Sequence, residues 1–303
     1  MPNEEISGVL IVNKHAGVTS HDIVNKIRRL YHTRRVGHTG TLDPMATGVL
    51  VILIGRAAKA CEYLATDSKR YRATLRLGIT TDTEDTTGSV LTSCEHIPAE
   101  NEIHSILPHF QGRIMQVPPM FSALKVGGQK LVDLARRGET VEREARPIEI
   151  FDLTATPCKT PTDYILDVHC SGGTYIRTLC ADIGAALGCG GVMASLERCE
   201  TSGFSIEKSY TVEDLERMTD NEREALLLPI EVLFEALPSL TLPAFYEKLC
   251  RSGCEIYLKK LGASIALGTR VRLYDHNGCF FAIGEVGEYR DGLAVKSIKT
   301  FVL

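Results

Sequence analysis

One acidic residue lies in a stretch whose other residues are small, polar or apolar. The segment GHTGTLDPMATGVL, residues 37–50, carries a single carboxylate, Asp43, together with three glycines and one histidine, His38. Glycine lets a backbone approach a ligand closely, and the apolar run over residues 49–54 predicts a rigid buried strand behind the acid. Such a carboxylate can stabilise a cationic carbon, attack it or accept a proton. Asp-Pro is also a common turn signal, so a turn without chemistry is the simpler interpretation of that pair alone.

The elements that must position Asp43 are short strands and amphipathic helices. Residues 8–13 (GVLIVN) predict a buried strand, and SKRYRATLRLG, residues 68–78, predicts a half-buried one with Tyr71 on its apolar face. Ser20 or Thr19 can cap a helix that follows the first strand. Further helices are predicted from about Arg56 to Ala65, over residues 174–188 and in an acidic segment over about 212–237.

A basic insertion interrupts this pattern between residues 116 and 147. It begins with Pro118-Pro119, contains a Gly-Gly pair and predicts a short helix in its middle. Cations of such a segment can release counterions from a polyanion and make binding dependent on salt. Its acidic residues also allow the simpler interpretation of a solvated charged loop. Further arginines, among them Arg70, Arg72 and Arg76, predict local positive charge elsewhere in the first domain.

Composition is typical of a globular protein. The chain has 303 residues, 44% of them hydrophobic, and a net charge of −4, so only a local basic surface could bind nucleic acid. No apolar run has the roughly eighteen residues of a membrane span, and the acidic N-terminus does not resemble a secretory signal; we therefore expect a cytoplasmic protein. The ten cysteines and nine histidines are scattered, which predicts reduced thiols and no metal site.

Several motifs together resemble the TruB family of bacterial tRNA pseudouridine synthases. They occur in the family's order and reach to about residue 237: GVLIVNK, TSHD, GHTGTLDPMATGVL, SKRYRATLRLG, QVPPMFSALKVGGQKLVDLARRGE and VHCSGGTYIRTLCADIGAALG. GHTGTLDP is the most specific of them. The resemblance implies an α+β pseudouridine synthase fold, with a mixed, mostly antiparallel sheet, flanking helices and a small C-terminal PUA-like β-barrel.

The resemblance also implies a domain division. Residues 1–237 would form the catalytic domain, in which the insertion, at about 120–147, closes over RNA. Residues 238–303 would form a PUA-like RNA-binding domain, where Gly and Asn turn signals predict short strands.

The activity that the resemblance implies is the isomerisation of uridine 55 in the T-loop of tRNA to pseudouridine, without a cofactor. The C1′–N1 bond breaks, the base rotates, and C5 rejoins C1′. Asp43 would be the catalytic carboxylate, acting either as a nucleophile at C1′ or as a base toward a sugar proton; the residues leave both routes open. The stacked uridine must first be flipped out of the T-loop.

Further site residues are carried over from the family. Tyr71 would stack on the target base, Arg177 would pair with Asp43, and Leu196 would line the pocket. His38 would lie near the flipped base and Lys14 would contact a phosphate. Without the resemblance, these residues are interpreted as core, surface or loop side chains. The RNA backbone would be bound by cations of the insertion, namely Lys125, Lys130, Arg136 and Arg137.

Two other functions remain open at the level of the sequence. One is an RNA-binding or tRNA-folding module without chemistry. The other is the catalytic subunit of a guide-dependent ribonucleoprotein, a class that usually carries strongly basic terminal extensions. The intact set of Asp43, Tyr71 and Arg177 favours a tRNA-modifying enzyme, which we expect to be a monomer without an obligate protein partner. Glu197 and Glu200 depart from a more basic segment in the family and predict weaker RNA binding.

Overall fold

The computed structural model describes residues 6–64 and 68–302, and within them the chain forms two main sheets connected by short helices. The strands are β1 (Gly8–Lys14), β2 (Val36–His38), β3 (Thr47–Ile54), β4 (Lys69–Leu77), β5 (Ile79–Thr81), β6 (Val90–Ser93), β7 (Gly112–Gln116), β8 (Lys125–Val126), β9 (Gln129–Lys130), β10 (Arg146–Pro157), β11 (Asp163–Cys170), β12 (Gly191–Thr201), β13 (Phe204–Ser205), β14 (Ser239–Thr241), β15 (Ile256–Tyr257), β16 (Arg270–Tyr274), β17 (Phe280–Tyr289) and β18 (Gly292–Thr300).

The α-helices are α1 (Ser20–Leu30), α2 (Glu100–Ile106), α3 (Leu131–Arg136), α4 (Ile176–Ala186), α5 (Val212–Arg217), α6 (Asp220–Ala225), α7 (Ala244–Arg251) and α8 (Leu258–Leu261). Short 3-10 helices cover Gly55–Tyr63, Leu107–Phe110, Ile206–Lys208 and Ile230–Phe234. Among the described helices, none has the length and apolarity that crossing a membrane requires.

The larger sheet has nine strands, and its main path runs β1-β3-β12-β4-β11-β10-β7. Its strand pairs are antiparallel except for β3 and β12, which are parallel. On one side of its centre, Leu75 and Leu166 share an apolar cluster with Leu179 and Ile183 of α4. The predicted α+β fold, with a mixed and mostly antiparallel sheet flanked by helices, is therefore confirmed.

The alternation in β4 explains why the sheet has two different faces. Tyr71, Ala73 and Leu75 are buried, whereas Arg70 and Arg72, which alternate with them along the strand, are exposed. Successive side chains of a strand point to opposite faces, so an alternating sequence produces one core face and one solvated face. The predicted half-buried strand is thus present, and it divides apolar from charged residues.

The smaller sheet contains five strands in the order β14-β16-β17-β18-β15 and curls into a half-barrel, consistent with the predicted PUA-like domain. The 3-10 helix Ile230–Phe234 joins it to the larger sheet, because Phe234 shares an apolar cluster with Val51 of β3 and Ile283 of β17. Phe234 lies with its ring centroid 6.1 Å from that of Phe280 and 5.6 Å from that of Phe301. Because this shared core includes residues on both sides of residue 237, the domain boundary there stays a prediction.

Two predicted helices differ from the structure. The acidic segment over 212–237 is divided into α5, α6 and a 3-10 turn, because Thr219 caps a new helix through Glu222 and Pro229 follows an extended residue. The helix predicted from about Arg56 is a 3-10 helix, and its predicted end at Ala65 lies outside the described residues. The α1 prediction is correct, with Thr19 as its cap.

Candidate active site

The loop between β2 and β3 carries Asp43 and is held by the start of α1. The chain turns at Asp43, whose carbonyl oxygen accepts a hydrogen bond from the Ala46 amide at 3.0 Å. The Ser20 hydroxyl donates to the Leu42 carbonyl at 3.0 Å and accepts from the Leu42 amide at 2.8 Å. The Asp43 side chain retains 37% exposure. A fixed turn therefore presents a partly accessible carboxylate.

The ammonium group of Lys14 lies beneath the same turn. Its Nζ donates to the carbonyl oxygens of Pro44 at 3.2 Å, of Ala46 at 2.5 Å and of His15 at 3.0 Å. Lys14 is fully buried, and burial lowers its pKa to about 8 although nearby Asp43 opposes this shift. We predicted that Lys14 contacts a substrate phosphate. In the structure its ammonium group is instead buried, and its hydrogen bonds hold the backbone of the Asp43 loop.

Arg177 forms a two-point ion pair with Asp43. Its Nε lies 2.9 Å from Oδ2 of Asp43, and its Nη2 lies 3.5 Å from Oδ1. The remaining guanidinium donors reach the carbonyl oxygens of Thr83 at 3.1 Å and Phe121 at 2.8 Å, and the Asp85 carboxylate is 4.0 Å from Nε. Only 7% of the Arg177 side chain is exposed. Planar contacts of this kind fix the direction of a carboxylate.

A cavity of about 520 Å³ opens above this ion pair. Asp43, Arg177, Tyr71, Leu196 and Arg198 all line it. The last three lie on the adjacent strands β4 and β12, where Arg198 is directly opposite Tyr71. Its volume falls within the usual range for a small-ligand site. The structure thus brings four of the predicted site residues to one cavity, although they come from four separate parts of the chain.

Arg198 is a site residue that the sequence interpretation missed. Its side chain is 1% exposed, its Nε donates to the Val49 carbonyl at 2.8 Å, and its Nη2 donates to the Gly40 carbonyl at 3.0 Å. Burial raises the pKa of the Tyr71 phenol, and the guanidinium of Arg198, which hydrogen-bonds that phenol, opposes the shift. One sequence signal could have identified Arg198: it lies two residues after Leu196, and strand residues i and i+2 share a face.

One glycine just after the Asp43 loop, in β3, has a clear steric purpose. Gly48 has a φ of +100°, and a Cβ atom there would lie 2.3 Å from the carbonyl oxygen of Arg198. At this point β3 and β12 run side by side. Gly48 is therefore needed for close contact between two strands, whereas we predicted that the glycines serve contact with a ligand.

His38 lies in β2 and is not among the residues that line the cavity. Burial lowers its pKa, and the positive charge of Arg198 adds to this effect. Its Nδ1 is buried and has no hydrogen-bond partner among the described residues. We predicted that His38 lies near the flipped base, but its side chain does not form part of the cavity wall.

The basic insertion forms a small hairpin, β8 and β9, followed by α3. Leu131 and Leu134 of α3 are buried, and Phe121 and Ser122 at the base of the insertion line the cavity. The predicted RNA-contacting cations are exposed, and among the described residues only Arg137 has side-chain partners, Glu139 at 2.6 Å and Gln129 at 2.7 Å. The exposed cations without such partners are Lys125, Lys130 and Arg136.

Comparison with known proteins identifies the family. Residues 28–176 match the family model described as "TruB family pseudouridylate synthase (N terminal domain)", and residues 177–235 match "tRNA pseudouridylate synthase B C-terminal domain". The tRNA pseudouridine synthase B of Actinobacillus pleuropneumoniae is 41% identical over 93% of this chain and 92% of that protein. The chain belongs to the TruB family. The Burkholderia mallei protein of the same name is 39% identical over 95% and 96% of the two chains.

Solved structures share the fold of this TruB-family chain. A chain of a Cbf5-Nop10-Gar1 complex matches with a TM-score of 0.75 and 24% identity, over 97% of this chain and 85% of that one. A chain from an H/ACA RNP bound to a substrate RNA containing 2′-deoxyuridine gives a TM-score of 0.74 and 22% identity, over 98% and 85%. The likeness supports the predicted fold, including its C-terminal part.

The solvated face of the sheet explains the acidic departure from the TruB pattern. Glu200 lies 3.5 Å from Arg70, and Arg72 lies 3.0 Å from Asp167 on the neighbouring strand. Arg76 is paired in the same way, with a nitrogen 2.7 Å from Asp163. The positive charge that we predicted from these arginines is therefore compensated locally by carboxylates. The acidic residues lie on the face opposite Tyr71, away from the cavity.

Proposed function

We propose that this TruB-family protein is a tRNA pseudouridine synthase that isomerises uridine 55 in the T-loop. The observation that carries the proposal is the two-point ion pair between Arg177 and Asp43 at the base of a cavity lined by Tyr71. The names of its curated relatives, tRNA pseudouridine synthase B, support tRNA as the substrate.

In the proposed reaction, the C1′–N1 bond of the target uridine breaks and its electron pair leaves with the base. Positive charge develops at C1′, next to the Asp43 carboxylate, which either stabilises it, bonds to C1′ or removes a sugar proton. After the base has rotated, C5 bonds to C1′; a bond from Asp43 to C1′ breaks at this step, or a removed sugar proton returns to the sugar. The C5 proton then passes to a base or to water, and N1 gains a proton. Because these steps conserve all atoms, they need no redox partner.

The fixed geometry of the site would contribute in two ways. Arg177 holds the carboxylate in one direction, so that no reorientation is needed when charge develops at C1′. Tyr71 and Leu196 supply a flat apolar surface against which a flipped pyrimidine can stack, which would offset part of the cost of unstacking the base. We also propose His38 as a neighbour of the flipped base, acting from the edge of the site.

The insertion would bind the T-arm. Lys125, Lys130 and Arg136 are exposed cations without side-chain partners among the described residues, and the segment that carries them forms part of the cavity wall. Phosphate contacts from these residues would orient the RNA so that its flipped nucleotide enters the cavity. We further propose that the enzyme acts as a cytoplasmic monomer.

The test is a site-resolved activity assay. Purified protein is incubated with an unmodified tRNA T-arm hairpin, and pseudouridine is mapped along the RNA. A hairpin with cytidine at position 55 is the matched control. We expect modification at position 55 of the uridine hairpin and none in the control. Modification at another uridine would contradict the assigned position, and binding without any modification would support an RNA-binding module instead.

A further inference from the structure

Two fully buried cations, Lys14 and Arg198, lie under the Asp43 loop. Among the described residues neither has a carboxylate within ion-pair distance; their partners are backbone carbonyls and, for Arg198, the Tyr71 phenol. A buried charge without a counterion is costly, so its retention needs a reason. Lys14 is explained by three carbonyl contacts, but Arg198 is also part of the cavity wall.

The contacts of Arg198 link the two sides of the cavity. Its Nε and Nη2 reach the carbonyls of Val49 and Gly40, which flank the Asp43 turn at both ends. Across the strand pair it contacts Tyr71. One guanidinium thus connects the loop of the carboxylate with the aromatic ring proposed to stack on the base.

The position of its charge is as important as its hydrogen bonds. Arg177 is paired with Asp43, so its charge is compensated, whereas the charge of Arg198 is not. When C1′–N1 breaks, the electron pair stays on N1 and is delocalised to O2 and O4 of the base. A fixed cation in a water-poor site stabilises a developing anion more strongly than it would in water.

We propose that Arg198 is a positioning residue for the isomerisation, and that its uncompensated charge favours the pyrimidine anion released when the glycosidic bond breaks. The inference rests on the proposed function. Arg198 holds Tyr71 and the Asp43 loop from below the cavity, and it takes up no proton in the reaction. The anion is consumed when C5 bonds to C1′, so that the charge is needed only while the base is detached.

The test compares Arg198→Lys, which keeps the charge, with Arg198→Met, which keeps most of the length. The matched control is Arg72→Met on the solvated face of the same sheet. For the T-arm hairpin, single-turnover rate at saturating enzyme and Kd are measured separately. We expect Arg198→Met to lower the rate by about 100-fold with Kd changed by less than about 3-fold, and Arg198→Lys to recover about 10-fold. Arg72→Met should match wild type.

A second hairpin carries 5-fluorouridine at the target position, where fluorine stabilises the departing anion. Consumption of this nucleoside is measured after nuclease digestion. We expect the loss of single-turnover rate in Arg198→Met to be several-fold smaller on this substrate, because the fluorine already stabilises the anion that the charge of Arg198 would otherwise stabilise. A loss of equal size on both substrates, or a wild-type rate in Arg198→Met, would overturn the proposal.

Folding and function are separated within the same experiment. If circular dichroism shows that Arg198→Met does not fold, the two hairpins are compared with Arg198→Lys instead. The shorter lysine lies farther from Tyr71, so its single-turnover rate should be lowered less, and the loss should still be smaller on the 5-fluorouridine hairpin. If wild-type protein modifies neither hairpin, the proposed function fails. If wild type is active and no variant shows a substrate-dependent loss, only the role of Arg198 fails.

Discussion

The two faces of β4 and β12 carry the same types of residue in different electrostatic settings. On the cavity face, Arg198 is buried against backbone carbonyls and a phenol. On the solvated face, Arg70 and Arg72 are each paired with a carboxylate of an adjacent strand. The residues alternate along the strands, so neighbours in the sequence belong to opposite surfaces.

This difference shows that a count of cations does not reveal which surface carries uncompensated positive charge. Arginines with acidic partners form a nearly neutral surface, and exposed pairs of this kind contribute little to stability. Lys125, Lys130 and Arg136 of the insertion, beside the cavity, are exposed and lack such partners among the described residues. Replacing residues on one face while keeping the other unchanged should therefore separate chemistry, RNA binding and stability.

The largest effect is expected from Asp43→Asn. The amide cannot form a bond to C1′ or accept a sugar proton, so turnover on the T-arm hairpin should fall by more than about 1,000-fold. Kd should stay within about 3-fold of wild type, since phosphate contacts supply most of the affinity. Asp167→Asn, on the solvated face, is the control and should keep full activity. Substantial turnover by Asp43→Asn would remove this residue from its proposed role.

A smaller effect is expected when Lys125, Lys130 and Arg136 are together replaced by alanine. Loss of phosphate contacts should weaken T-arm binding by about 10-fold at moderate salt and reduce the slope of log K against log salt by roughly two. The single-turnover rate at saturation should change little. The control carries alanine at Arg70, Arg72 and Arg113, which lie in exposed ion pairs with Glu200, Asp167 and Glu149, and it should bind as wild type. An unchanged salt slope in the insertion variant would show that this segment does not meet phosphate.

Lys14→Met tests the buried cation beneath the loop through its dependence on pH. The pKa of Lys14 is lowered from 10.5 to about 8 by burial, so between these values the unfolded chain holds a proton that the folded chain lacks. The stability of wild type should therefore rise with pH in this window, and it should gain about 2 kcal/mol relative to Lys14→Met between pH 7 and pH 9.5. Denaturant unfolding at both pH values measures the difference. Lys26→Met, at an exposed ion pair, should show no such gain, and a constant difference for Lys14→Met would contradict the prediction.

The smallest effect belongs to the solvated face. A double-mutant cycle with Arg70→Ala and Glu200→Ala should give a coupling energy of about 0.5 kcal/mol, because the pair is exposed and screened by water. A coupling above about 2 kcal/mol would show that this face is more than a neutralised surface.

The sequence predicted those elements whose pattern is local. The alternation around Tyr71, the Thr19 cap and the apolar spacing of α4 each depend on neighbouring residues, and all three are present. The acidic segment after residue 211 was predicted as one helix because composition alone does not reveal where Thr219 starts a new one.

The candidate site was predicted in part, and mainly through family resemblance. The pair of Asp43 and Arg177 joins residues 134 positions apart, a separation at which hydrophobic periodicity carries no information. The burial of Lys14 and Arg198 also depends on which strands become neighbours. Charged residue types predict exposure, so the sequence interpretation assigned Lys14 to solvent or substrate and overlooked Arg198.

The apolar cluster shared by the two sheets has a consequence for any shortened form of the chain. Phe234 packs against Phe280 and Phe301 in an apolar cluster that also contains Val9 and Val51 of the larger sheet. A protein cut after residue 237 would expose this interior to water and would be prone to self-association. Because the two sheets share this cluster, loss of the smaller sheet should lower the melting temperature of the larger one, which calorimetry of the intact and shortened chains would measure.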